Sequence, residues 1–273
     1  MSKYVDVHTH LTHARFAGEA PAIVEAAVQA GMGAIVVNGL EPASNREILA
    51  MAAAFPVVKP ALGIYPVDAV NGLLPADFPF PVAKFDVDAE IDFIASKAKS
   101  KELIAIGECG LDGHWLAPET FPEQERVFER LLAIAMEHDL PVIIHTRKLE
   151  TRIIEILRAY RPKKVNFHCF GGKTTQAREC AEKDRWWFSI PANARVNEAF
   201  TKMLKTLPAD RLLTETDAPF LAPVRGERNE PKNVVGTVAL FGELRGISAA
   251  EARDQIWRNY LELFTSPNGV SCG

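Results

Sequence analysis

The stretch that decides the fold is VDVHTH, Val5–His10, in which two histidines stand one residue apart at the end of a short apolar run. Side chains at i and i+2 on a strand leave the same face, so His8 and His10 point together to one side and Thr9 to the other. Two imidazoles held close on a rigid strand end form half of a metal site. The other half must come from carboxylates and histidines elsewhere in the chain. Where those residues lie determines the architecture.

Working outward, strand-like apolar runs begin near Tyr4, Ala34, Val57, Leu103, Pro141, Lys164, Trp186 and Arg211, with helical periodicity between them. Phe128, Leu131, Leu132 and Ala135 keep the spacing of one buried helix face, as do Ile153, Ile156, Leu157 and Tyr160. A (β/α)8 TIM barrel and a doubly wound open sheet both satisfy this alternation. The barrel is the expectation, because His8, Glu108, His145, His168 and Asp217 all fall near strand C-terminal ends, and a closed barrel gathers those ends at one mouth. A single α/β domain is expected over residues 1–265, with a frayed tail at 266–273. Its closing helix starts at a capping box, Ser248 with Glu251, and carries Trp257, Tyr260, Leu261 and Phe264 on an apolar face. Between Asp68 and Phe85 the periodicity gives way to a loop holding Pro75, Phe78, Pro79, Phe80 and Pro81. It reads either as a lid or substrate wall, or as an insertion packed by its own aromatics.

With 273 residues, 48% hydrophobic and 24% charged, the chain can bury a full-sized core. Its formal net charge of −4 argues against a basic surface tracking a long duplex. A phosphate-bearing substrate remains open, because bound divalent cations supply positive charge locally. The cysteines at 109, 169, 180 and 272 lack metal or redox spacing, which points to a reducing, cytoplasmic setting. No apolar run reaches the ~20 residues that span a bilayer, so no membrane partner is expected. A monomer is favoured over an oligomer.

Four further motifs supply what the first lacks. In IGECGLD, Ile106–Asp112, Glu108 faces the barrel interior, and its two oxygens can bridge two cations. PVIIHTR (141–147) and VNFHCFGG (165–172) each end an apolar strand in a histidine, so His145 and His168 complete a second site. LLTETDAPFLAP (212–223) puts Glu215 and Asp217 inward together, where the carboxylates repel unless cations intervene. Asp217 is placed to ligate the first metal and to take a proton from the attacking water. Glu215, one layer deeper, orients a ligand. Arg147 and Arg228 are candidates to grip phosphate oxygens or, equally, to pair with neighbouring carboxylates. Asp112 and Asn229 are expected to shape the mouth, and His13 and His114 lie on mouth-side loops. Cys109 and Cys169 are expected to point outward into core packing.

Together HTH, IGECGLD, PVIIHTR, FHCF, TETDAPFLAP and RNEP (228–231) resemble the TatD family of metal-dependent hydrolases, within the wider amidohydrolase-like barrels. The resemblance runs from Val5 to about Phe264. It implies one cation among His8, His10, Glu108 and Asp217 and a second among Glu108, His145 and His168, as magnesium, manganese or zinc. It implies phosphodiester hydrolysis, usually exonucleolytic trimming of single-stranded DNA and sometimes of RNA, with D-aminoacyl-tRNA deacylation in some relatives. Two positions depart from the family pattern. GIYP puts Tyr65 where members commonly carry histidine, and Lys148 stands where they carry an acid. Tyr65 can stack on a base but is a poor ligand for these metals. The rival reading is a barrel hydrolase of amide, ester or lactone bonds using the same metals.

Overall fold

Strands form where the apolar runs place them. In the computed structural model, which describes residues 2–265, the strands are β1 (Tyr4–Thr9), β2 (Met32–Asn38), β3 (Val58–Leu62), β4 (Ala105–Asp112), β5 (Val142–Arg147), β6 (Val165–His168), β7 (Trp187–Ile190) and β8 (Leu212–Thr214). They pair in sequential order, and every ladder is parallel. Around them lie α1 (Ala20–Gln29), α2 (Pro42–Ala54), α3 (Pro66–Ala69), α4 (Val87–Lys99), α5 (Phe121–Glu137), α6 (Glu150–Tyr160), α7 (Thr174–Glu179), α8 (Glu198–Thr206), α9 (Val234–Arg245) and α10 (Ala249–Phe264). The architecture is a nearly closed (β/α)8 barrel. The tail expected at 266–273 lies outside the described residues.

The helices bury the faces that their periodicity marks, with two corrections at helix ends. In α5 Val127, Phe128, Leu131, Leu132 and Ala135 are buried against the barrel. In α6 Ile153, Ile154, Ile156 and Leu157 are buried, but Tyr160 is 38% exposed, because it ends the helix just before Arg161 turns left-handed. Helix α10 starts at the expected capping box of Ser248 and Glu251. Its buried stripe runs through Ala252, Ile256, Tyr260, Leu263 and Phe264, whereas Leu261 faces outward. One residue beyond Tyr260 is a turn of about 100° around the helix, which carries Leu261 off the stripe.

Closure happens at the junction of the first and last strands. Among the described residues no ladder joins β8 to β1, and side chains make the junction instead. The Thr214 hydroxyl donates to the Val5 carbonyl at 2.7 Å. The buried Asp6 carboxylate accepts the Thr216 N–H at 3.0 Å, the Thr216 hydroxyl at 2.5 Å and the His8 N–H at 3.2 Å. Burial drives the Asp6 carboxyl well above its usual range, against the pull of these donors. Above the junction, Asp217 N–H donates to the His8 carbonyl at 2.9 Å and His10 N–H to that of Ala218 at 2.8 Å.

The junction makes a prediction. Asp6→Ala strands three donors, each costing about 1–3 kcal/mol, and should lower the Tm of metal-free protein by roughly 10 °C. Asp6→Asn keeps an acceptor and adds a donor toward Thr216, and should melt within a few degrees of the wild type. Equal melting of the two variants in a calorimeter would show that this carboxylate does not close the barrel.

Candidate metal centre

Each strand end delivers its residue to the mouth. His8 comes from β1 and His10 directly follows it, Glu108 and Asp112 come from β4, His145 from β5 and His168 from β6; Glu215 and Asp217 follow β8. Close approach of β4 and β5 needs Gly110, whose φ is +147° and where a Cβ would overlap the His145 carbonyl.

Two donor clusters share one carboxylate. His8 Nε2 and His10 Nε2 lie 3.1 Å apart, at 3.4 and 3.3 Å from Glu108 Oε2 and at 3.7 and 3.4 Å from Asp217 Oδ1. The other Glu108 oxygen, Oε1, is 3.0 Å from His145 Nδ1 and 3.3 Å from His168 Nε2. Atoms bound at ~2.0–2.2 Å to one four-coordinate cation stand roughly 3.3–3.6 Å from one another. The donor set therefore fits a divalent cation in its spacing as well as its chemistry.

Neighbouring groups hold the donors in place. His10 Nδ1 is 3.1 Å from the Asn38 carbonyl, which turns Nε2 toward the centre. His145 presents Nδ1 inward because its Nε2 lies 3.0 Å from Asp112 Oδ2. Glu215 is fully buried, accepting the Cys169 N–H at 2.8 Å and the Ser189 hydroxyl at 2.5 Å, with Oε1 3.7 Å from His168 Nδ1. The His8 and His168 rings stack with centroids 3.7 Å apart.

The electrostatics of the cluster ask for positive charge. Burial works to neutralise Glu108 and Asp217, yet the facing imidazoles outweigh it and hold both carboxyls below their usual range, Glu108 well below. Burial likewise works against protonated imidazoles. Asp217 and Glu108 nonetheless push His10 up to about 10, and Asp112 and Glu108 raise His145. His8, buried beside His168, is lowered.

The centre opens into a cleft of about 880 Å3 bordered by Tyr65, Asp68, Phe80, Arg147, Asn193 and Phe220. An apolar groove of about 460 Å3 at Val24, Val28 and Phe55 lies on the helical layer and contains none of these donors. Tyr65 reaches the cleft edge-on to His145, with ring centroids 4.9 Å apart. Arg147 borders it too, with its guanidinium 5.8 Å from the Trp115 ring centroid and no carboxylate partner among the described residues.

Arg228 and Asn229 are not brought to the cleft. The Arg228 guanidinium forks onto Glu19 with both contacts at 2.9 Å and lies over Phe16. Asn229 is buried, donating to the Thr216 carbonyl at 2.7 Å and bracing the chain after β8. Cys169, expected among the outer packing, borders the cleft instead, because its backbone turns to a φ of +44°. Burial, reinforced by Glu215, pushes its thiol well up, so it stays neutral. Sequence reasoning also underrated Asp112 and missed Trp115. Asp112 had a signal, since it lies four residues beyond Glu108 on the same strand face.

Comparison with known proteins agrees with this geometry. A family model described as TatD related DNase matches residues 5–265. The uncharacterized metal-dependent hydrolase YabD of Bacillus subtilis is 30% identical over 265 residues, covering 95% of this chain and 98% of that protein. The 3'-5' ssDNA/RNA exonuclease TatD of Pectobacterium carotovorum is 31% identical over 260 residues, covering 89% and 92%. The crystal structure of YjjV, a TatD homologue of Escherichia coli k12, superposes with a TM-score of 0.82 at 26% identity, covering 97% of this chain and 98% of that one. With strand-end donors in this arrangement and relatives aligned over nearly its full length, the chain belongs to the TatD-related DNase family of metal-dependent hydrolases.

Proposed function

We propose that the protein hydrolyses phosphodiester bonds of single-stranded nucleic acid, DNA and in second place RNA, with two divalent cations drawn from magnesium, manganese and zinc. One observation carries the reading: the two oxygens of Glu108 face different donor clusters, one toward His8 and His10, the other toward His145 and His168. His8, His10, Glu108 and Asp217 would hold one cation, and Glu108, His145 and His168 the other. Cations bound there supply Lewis acidity toward a phosphoryl oxygen and acidify water. The name of the Pectobacterium relative supports the choice of substrate.

The remaining work falls to the chain's own groups. Asp217 is the more open of the two central carboxylates, its side chain 17% exposed against 3% for Glu108. It is the acceptor for the proton of a water entering from the cleft, and its lowered pKa keeps it ionised for that task. Arg147, without a carboxylate partner among the described residues, can take phosphate oxygens bidentately. Asp112 keeps His145 turned so that Nδ1 stays inward. Every donor comes from one chain, so a monomer suffices. No described helix is long and apolar enough to cross a membrane. Among the described residues Cys109, Cys169 and Cys180 are unpaired, which fits a reducing cytoplasm.

Metal-loaded protein should shorten end-labelled single-stranded DNA, and Asp217→Asn should lose about a hundredfold or more of that rate. Equal loss of label from both would refute the assignment. Turnover of a lactone or ester panel without nucleotide release would establish the rival chemistry instead.

Metal occupancy supplies a second expectation. At a hundred times Kd, bound cation adds about 2.7 kcal/mol, so chelation should lower the Tm by roughly 5–10 °C. Glu108→Gln should cut the bound metal, counted by mass spectrometry, from two ions per chain to one or fewer. Ligation displaces the proton that Asp217 and Glu108 favour on His10 in metal-free protein, so apparent affinity should rise with pH from neutrality toward about 10. A pH-independent affinity would contradict the raised His10 imidazole.

A further inference from the structure

One wall of the cleft is aromatic and separately packed. Phe78, Phe80 and Val82, from the connection between α3 and α4, pack with Tyr65 and Leu74 over Val67, Val70 and Leu116, apart from the main core. An aromatic run leads outward from it. The centroids of Phe78 and Phe80 are 4.7 Å apart and those of Phe80 and Trp115 5.3 Å, both pairs edge to face. At its outer end Trp115 is 42% exposed. Beside it stands Arg147, without a carboxylate partner among the described residues, which lines the cleft as Phe80 does.

This wall is tied to the metal donors. Asp112 Oδ1 accepts the N–H groups of His114 and Trp115 at 2.7 and 2.8 Å, while Oδ2 faces His145 Nε2 at 3.0 Å. The Gly113 N–H donates to the Arg147 carbonyl at 2.8 Å. One buried carboxylate thus sets the Trp115 turn at a fixed offset from the centre.

We infer that Trp115, Phe80 and Arg147 form a nucleotide subsite, in which Trp115 stacks on an unpaired base and Arg147 engages the adjoining phosphate. The inference rests on the phosphodiester reading and adds to it the feature that senses strandedness. A base inside a duplex has both faces covered and cannot offer one to the indole, whereas a single strand can. At a net charge of −4 the protein is not generally basic, so stacking on the indole adds to what the Arg147 guanidinium offers a phosphate.

The test couples the indole to a base. Metal-loaded Asp217→Asn protein, with and without Trp115→Ala, is titrated by fluorescence anisotropy with a labelled hexanucleotide and with versions lacking one base at each position in turn. Removal of one particular base should weaken binding to the Trp115 protein about tenfold and leave the Trp115→Ala protein unmoved. Trp115→Phe should restore most of the affinity. In enzyme that retains Asp217, turnover of methyl 4-nitrophenyl phosphate should be unchanged by Trp115→Ala. Equal sensitivity to base removal in both backgrounds, or no oligonucleotide binding at all, would overturn the subsite. Coupled binding without any hydrolysis of oligonucleotides would uphold the subsite and sink the phosphodiester reading; hydrolysis without coupling would do the reverse.

Discussion

A carboxylate almost wholly out of water, Glu108, keeps its charge only because four imidazoles from three other strand positions surround it. Burying an ionised group without partners costs more than a domain's entire net stability, so the chain must bring those partners in or let the group go neutral. The imidazoles come from β1, β5 and β6, far apart in sequence. A closed parallel barrel places them round a common axis at one end. An open sheet would leave β1 and β6 on remote strands. The electrostatic requirement and the topology are thus one constraint seen at two scales.

The junction of β1 and β8 is where that constraint is weakest and most elaborately met. Strand β8 is three residues long, too short for a ladder that holds alone, and Asp6 and Thr214 replace backbone pairing with side-chain bonds. The bonds just above the junction join His8 to Asp217 and His10 to Ala218 through the main chain. They fix the spacing between the imidazole pair and the carboxylate that shares its cluster. Disturbing the closure would therefore move donors as well as loosen strands.

Much of this was legible in the sequence. Period-two patterning at HTH and TETD states which side chains share a face, and strand-end position states which mouth they reach. The unread parts depended on what a loop meets after folding. Of the two readings open for Arg228, pairing with a carboxylate is the one realised, because the chain after β8 lies beside Glu19 in the turn before α1. Cys169 was assigned outward by alternation, which its positive φ interrupts. Tyr160 and Leu261 show the same limit at helix ends, where one residue of rotation decides burial. In the connection after α3 the aromatics pack among themselves, and Phe80 and Val82 also border the cleft.

Affinity for a polyanion has to come from local groups, since the net charge of −4 does not favour it. Two arginines near the mouth differ in kind: Arg228 is already neutralised by Glu19 and Glu230, while Arg147 has no carboxylate partner among the described residues. Positive charge at the scissile position then depends on cations held by the donor clusters, and one guanidinium extends it outward. Both act over short distances at ordinary salt, where fields are screened within about 10 Å. A substrate recognised this way must bring its phosphate to the bottom of the cleft and lay a base along the aromatic wall at the same time. A flexible single strand can satisfy both demands, and a rigid duplex would have to give up base pairs to do so.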